Sequence, residues 1–335
     1  MRWLVFLALI LTAPQNPQFP TIGVIDFYGL GDISERQVRE SLQIKEGDAL
    51  SGDLEEARRR LESLPGVEEV RLDRVCCIDS KAVLYVGIRR KGESAIEFRS
   101  APQGKVRLPQ DVIQAGNDYQ KALQDASLKG DPGEDNSYGH ALSNDPATRA
   151  VQERFIKFAA LDLKLLREVL RNSADAGHRA LAAQIIAYTE NKQEIVNDLV
   201  EAMKDPVEAV RNNAMRALWV MPEATPETME QPIRIPGRPF IDMLNSVEWR
   251  DRNKSSMALL KITSVPSPSI LSELRRRALT SLIEMASWKT PGHAKAPFIL
   301  LGRAAGYTES EINAAWEKGD HASFIEAATK LVKPK

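Results

Sequence analysis

The sequence predicts two architectures in tandem, an α+β unit followed by an all-α solenoid, and three observations carry that prediction. Between residues 22 and 91, strand-type alternation flanks two stretches of helical spacing in the order β-α-α-β-β. From residue 145 to 332, short amphipathic helices follow one another at close intervals with no convincing strand. Inside that second region, one helical motif recurs in progressively looser copies.

The first strand is read in "TIGVIDFYGLG", where Ile22, Val24 and the Phe27-Tyr28 pair precede a turn at Gly29 and Gly31. Ser34 opens a helix that places Val38 and Leu42 on one face. Leu54, Ala57, Leu61 and Leu64 form the apolar stripe of a second helix, which Pro65 and Gly66 end. Two strands follow: Val70 and Leu72 alternate with Arg71 and Asp73, and Leu84, Val86 and Ile88 alternate with Tyr85 and Gly87. Two helices on one face of three strands make a stable two-layer unit.

With these residues in view, the segment 22–91 resembles a polypeptide-transport-associated (POTRA) domain. The resemblance rests on the glycine turn, on "LQIKEGDAL" between the helices, on "RRLESLPGVEEVRL" and on the valine-rich last strand. "GLG" departs from the family's usual Gly-Asn turn, and "VCCIDS" makes an unusual hairpin. The resemblance implies a periplasmic partner-binding module beside outer-membrane barrels or division machinery, binding by adding a strand to an exposed sheet edge. It places that edge at Val67, Glu68, Glu69, Val70, Arg71, Leu72 and Asp73. The outward Glu68, Arg71 and Asp73 equally fit gatekeepers against aggregation.

Residues 92–144 read as a connection. One helix carries Val112, Ala115, Tyr119, Ala122 and Leu123 on one face, and "KGDPGEDNSYGHALSNDP" reads as a loop, with His140 a solvated or locally bonded residue in it. In the repeat region, "DPVEAVRNNAMRAL" has Val210, Ala214, Ala217 and Leu218 at helical spacing; "SADAGHRALAAQII" and "DRNKSSMALLKI" follow the same frame. This pattern resembles HEAT repeats and the HEAT-like repeats of bilin lyases. The resemblance implies paired antiparallel helices stacked on their neighbours, with Arg179, Asp205, Arg211 and Arg252 as a structural ladder. Asp205 suits a helix N-cap with Pro206 at the first helical position. Arg275 to Arg277 read as a solvated helix face. At the C-terminus, Thr308 and Glu311 form a capping box, and the last helix carries Phe324, Ile325, Ala328 and Leu331.

Composition narrows the function classes. A net charge of -1 over 335 residues denies the chain the basic field of a general nucleic-acid binder. Residues 1–20 have the order of a secretory signal peptide, one Arg, an apolar run from Trp3 to Leu11, then a Pro/Gln-rich stretch; an uncleaved apolar tail is the alternative. Cys76 and Cys77 are adjacent, and neighbours about 3.8 Å apart form only a strained ring, so no disulfide framework is expected.

Nucleophile elbow, phosphate loop, H-E-x-x-H and paired C-x-x-C motifs are all missing, and the four histidines are scattered. The expectation is a non-catalytic, exported scaffold or adaptor with protein partners, an envelope or outer-membrane component among them. No metal, cofactor, small-molecule substrate or nucleic acid is inferred. The alternative is an enzyme or enzyme subunit of the bilin-lyase kind.

Overall fold

The computed structural model describes residues 20–49, 53–78, 80–129, 133–224, 233–265 and 267–332. The expected leader, up to residue 19, and the Cys76 and Cys77 side chains lie outside the described residues.

The N-terminal unit comprises β1 (Ile22–Tyr28), α1 (Glu35–Leu42), α2 (Glu55–Glu62), β2 (Val67–Ile78) and β3 (Lys81–Arg90). The sheet order is β1-β3-β2, with β1 parallel and β2 antiparallel to the central β3. Ser34 starts α1 through a capping box with Gln37, which satisfies two otherwise orphaned amides. Between α2 and β2, Gly66 adopts φ +86°, a conformation that glycine takes without a side-chain penalty.

The expected two-layer arrangement is corrected to three layers. Ala82, Leu84, Val86 and Ile88 of β3 pack with Val38, Leu42, Ala57 and Leu61 of the two helices, while Val83 and Tyr85 project into the core of the repeat region. Because strand side chains alternate between faces, only a strand covered on both sides is apolar at nearly every position. "KAVLYVGI" is such a run. Gly87 completes the fit: a Cβ there would stand 2.4 Å from the Val247 carbonyl oxygen and 2.6 Å from the Tyr28 ring.

The solenoid stacks helical hairpins: α5 (Leu163–Asn172) with α6 (Ala176–Ile186), α7 (Val196–Ala202) with α8 (Glu208–Val220), α9 (Arg238–Met243) with α10 (Trp249–Ile262), and α11 (Pro268–Ala286) with α12 (Pro291–Ala305). The second helices form one row, α6 on α8, α8 on α10 and α10 on α12. Buried alanines at 182, 183, 214 and 258 let their backbones approach. In front stands α4 (Pro146–Leu161), capped by Asp145; behind come α13 (Glu309–Lys318), with the Thr308/Glu311 capping box, and α14 (His321–Val332). Leu331, expected on the buried face of the last helix, is 64% exposed, and Val332 packs in its place.

Residues 92–144 are no loose connection. An extended strap, 93–109, runs along the solenoid: the Arg99 amide donates to the Lys204 carbonyl (2.8 Å), and Gly104 exchanges backbone bonds with Asn172 and Ala174 (both 2.8 Å). The Leu108 amide donates to His178 Nδ1 at 2.8 Å. Then α3 (Gln110–Lys129) packs on α4 and α6 through Val112, Ala115 and Tyr119. The expected loop contains a two-residue ladder, β4 (Glu134–Asp135) with β5 (Leu142–Ser143). His140 is buried, not solvated, and its bond is long-range: Lys192 Nζ stands 2.8 Å from Nδ1 and also donates to the carbonyls of Ala187 and Thr189. Burial pushes His140 down to about 3 and Lys192 down to about 7.

Candidate functional site

The four ladder residues stand in one buried row. Arg179 forks onto Asp205 (2.8 and 2.9 Å), and Arg211 forks onto Asp251 (2.9 and 3.1 Å). Arg252 reaches Glu284 at 3.1 Å. Each arginine also closes the loop before its own helix, bonding the carbonyl six positions back: Ser173, Asp205 and Ser246 in turn. A guanidinium presents five donors in a rigid fork, which is why one residue type can cap a loop and clasp the next repeat together.

Asp205 is not the N-cap of α8, whose cap is Val207. Its carboxylate accepts from the Val207 amide (3.0 Å), from Arg179 and from Arg99 (2.7 Å). Burial works against its ionisation, but the Arg179 and Arg99 bonds hold it below the usual carboxylate range. At Asp251 burial prevails over Arg211 and the pKa is raised. Asp251 was not apparent from sequence because it sits where the motif carries Val210 in the preceding repeat.

The N-terminal unit and strap roof this ladder. The Tyr28 ring lies 4.4 Å from the Arg252 guanidinium carbon and the Phe98 ring 4.0 Å from that of Arg211. Below the sheet, Tyr85 stacks on Trp249 at 4.9 Å, meets Trp288 at 5.1 Å, and places its hydroxyl 2.6 Å from His293 Nδ1. Tyr28 donates to the Val247 carbonyl (2.9 Å), Gly29 to Glu284 (3.0 Å), and the Lys289 amide to Asp26 (3.1 Å).

The candidate edge in β2 is partly consumed by this joint. β2 pairs only with β3 among the described residues, which puts it at one edge of the sheet. Val67 and Val70 are buried under α1 and α2, with Leu72 half-buried beside them, and Glu69 binds Arg89 and Arg71. Glu68 points to solvent. Arg71 and Asp73, expected as outward gatekeepers, face the solenoid instead: Arg71 pairs with Glu248 (2.8 Å), and Asp73 accepts from the Trp249 amide (3.0 Å). That bond caps α10 from another element, since its own N-cap, Glu248, makes no side-chain cap bond.

Burial and then the Asp73 charge push the Glu248 carboxyl up to about 7. A carboxyl raised in the folded state holds its proton more tightly there than in the unfolded chain, so stability falls as pH rises from about 4.5 to about 7. Glu248→Gln is expected to remove that slope, on the order of 1–2 kcal/mol across the window after allowance for solvent screening. His293, which burial pushes down to about 4, contributes the opposite slope in both proteins and cancels in the difference. Urea unfolding of both proteins at several pH values checks this; parallel profiles would rule Glu248 out as the source.

The partly exposed side of the second-helix row carries a mixed polar and apolar cleft of about 440 Å³ beside α3, bordered by Tyr119, Glu134, Gln184, Tyr188, Asn212 and Arg216. Arg216 pairs with Glu134 at 2.6 Å. Between α8 and α10, Glu208 binds Arg250 and Glu223 binds Lys261, each at 2.8 Å. The run Arg275 to Arg277 is pinned rather than merely solvated: Arg275 donates to the Ala304 carbonyl, Arg276 pairs with Glu273, and Arg277 with Asp242.

Among the described residues no group of three or more His, Cys, Asp or Glu could hold a metal ion, and no helix is long and apolar enough to cross a membrane. His140, His178, His293 and His321 have separate partners: Lys192, the Leu108 amide, Tyr85 and the Trp316 carbonyl.

No characterised protein sequence matches the chain. Among solved structures, a designed armadillo repeat protein in complex with the peptide (KR)4 is similar at 18% identity and TM-score 0.38, covering 67% of this chain and 97% of its own. A computationally designed armadillo repeat protein for modular peptide recognition is similar at 18% identity and TM-score 0.37, covering 67% of this chain and 98% of its own. The family model for HEAT repeats matches residues 163–227, the segment from α5 through α8 that holds the Arg179–Asp205 and Arg211 rungs, and the repeat region as a whole is a solenoid of stacked helical hairpins.

Proposed function

We propose that the chain is a non-catalytic protein-binding scaffold that offers two surfaces, the outer edge of β2 and the exposed side of the second-helix row. The observation that carries this reading is the solenoid of stacked repeats, with a cleft along its second-helix row lined by Gln184, Asn212, Asn213 and Arg216. The ladder groups Arg179, Asp205, Arg211 and Asp251, and Asp73 of the sheet, are spent on holding repeats and sheet together, which favours a binding role over chemistry. The solenoid side ranks first, because Arg71 and Asp73 already tie β2 to α10.

The strand order β1-β3-β2 around a parallel β1/β3 pair supports the POTRA resemblance of the N-terminal unit and, with it, an envelope setting. The apolar run from Trp3 to Leu11 supports export. N-terminal sequencing of the native protein tests that point, and a chain starting at Met1 would speak against cleavage.

A photo-crosslinking residue placed at Asn212 or Glu68 in the full chain is expected to form adducts with partner protein in cells. The same residue at Lys164, on an outer helix, is expected to form none. Equal labelling at all three positions, or none anywhere, would defeat the scaffold reading.

A further inference from the structure

On the exposed side of the second-helix row, α8 and α10 are matched by charge with one exception. Glu208 faces Arg250, 42 positions on, and Glu223 faces Lys261. Lys254, one turn after Arg250 on α10, stands outside these pairs. Lys254 makes no hydrogen bond or ion pair with any described residue; its ammonium lies 5.3 Å from the centre of the Trp219 ring. Arg216 approaches the same ring at 5.9 Å, but Glu134 already engages its guanidinium.

We propose that Lys254, with the Trp219 ring beside it, receives an aspartate or glutamate side chain of a partner polypeptide. The inference rests on the scaffold reading above and names the chemistry of its partner. A half-buried ammonium is attracted to a carboxylate more strongly than an exposed one, because less water screens the pair. Burial, followed by the Arg216 charge, pushes Lys254 down to about 8, against the opposing pull of Glu134. Among the described residues of this face Lys254 is the cation without an ion pair, and one cation matches a single carboxylate. A phosphate dianion is better served by several cations or by an unoccupied arginine fork, and the nearby fork is taken.

The probe is fluorescein-labelled hexaglutamate, added to the full chain at low ionic strength and followed by fluorescence polarisation. Binding is expected in the wild type, and weakened about tenfold by Lys254→Gln. Lys330→Gln, which removes an exposed lysine on α14, is expected to leave it unchanged. In the wild type, the indole N–H resonance of Trp219 is expected to shift on titration, a readout that does not depend on how the variant folds.

Equal binding by Lys254→Gln, an unmoved Trp219 resonance, or competition by inorganic phosphate more effective than that by free glutamate would each overturn the proposal. If hexaglutamate fails while a crosslinker at Asn212 still captures a partner, only the acidic chemistry falls. Failure of both removes the scaffold as well.

Discussion

Arg211→Ala is expected to destabilise the protein by about 3–5 kcal/mol, because it strands a buried carboxylate rather than merely deleting a contact. Arg211 is 2% exposed and Asp251 fully buried, and the side chain supplies three donor atoms to Asp251, to the loop carbonyls of Asp205 and Pro206, and a face to Phe98. The double variant Arg211→Met with Asp251→Leu removes both charges and should recover part of the loss, because an apolar pair carries no uncompensated ion. Urea unfolding of the three proteins measures it. A single-variant loss under about 1 kcal/mol would mean that the fork does not clamp these repeats.

Tyr85→Ala is expected to cost about 3–5 kcal/mol, the range for emptying a buried aromatic position. The ring is fully buried between Trp249, Trp288 and His293, where sheet and solenoid meet. Tyr85→Phe keeps the ring and loses only the 2.6 Å bond to His293, so about 1 kcal/mol is expected. Trp249 and Trp288 flank the cavity, so a red-shifted tryptophan emission should accompany the alanine variant and not the phenylalanine one. A Tyr85→Ala protein as stable as the wild type would show that the joint is not held by this ring.

Much of the fold is written locally. The Ser34/Gln37 and Thr308/Glu311 boxes, the Ala57–Leu61 stripe and the bond from Arg179 and Arg211 to the carbonyl six positions back are short-range patterns. What escaped sequence reading depends on contacts between distant segments. The second covered face of β3 was available in the unbroken run "AVLYVGI", yet alternation was sought there and continuity overlooked. Strap residues Ile96, Phe98, Val106 and Leu108 alternate as a strand would, yet they pack on the solenoid core rather than in a sheet, which the alternation alone does not reveal. Asp73 carries no mark that it caps a helix 176 positions further along, and Lys254 reads as any helix-surface lysine until its flanking rungs are seen to be paired.

The joint between Tyr85 and α10 to α12 also governs how the chain reaches its native state during synthesis. The sheet is made early, but the residues that cover its second face are 208 positions from Tyr85 at His293 and 263 from Asp26 at Lys289. Domains usually complete themselves in order as the ribosome proceeds. Here the nascent N-terminal unit carries an uncovered aromatic face until nearly the whole chain has emerged. Such long-range closure makes folding slow and leaves the unfinished chain prone to association. The Arg252 end of the ladder, which Tyr28 covers, is therefore sealed only after that face finds its seat.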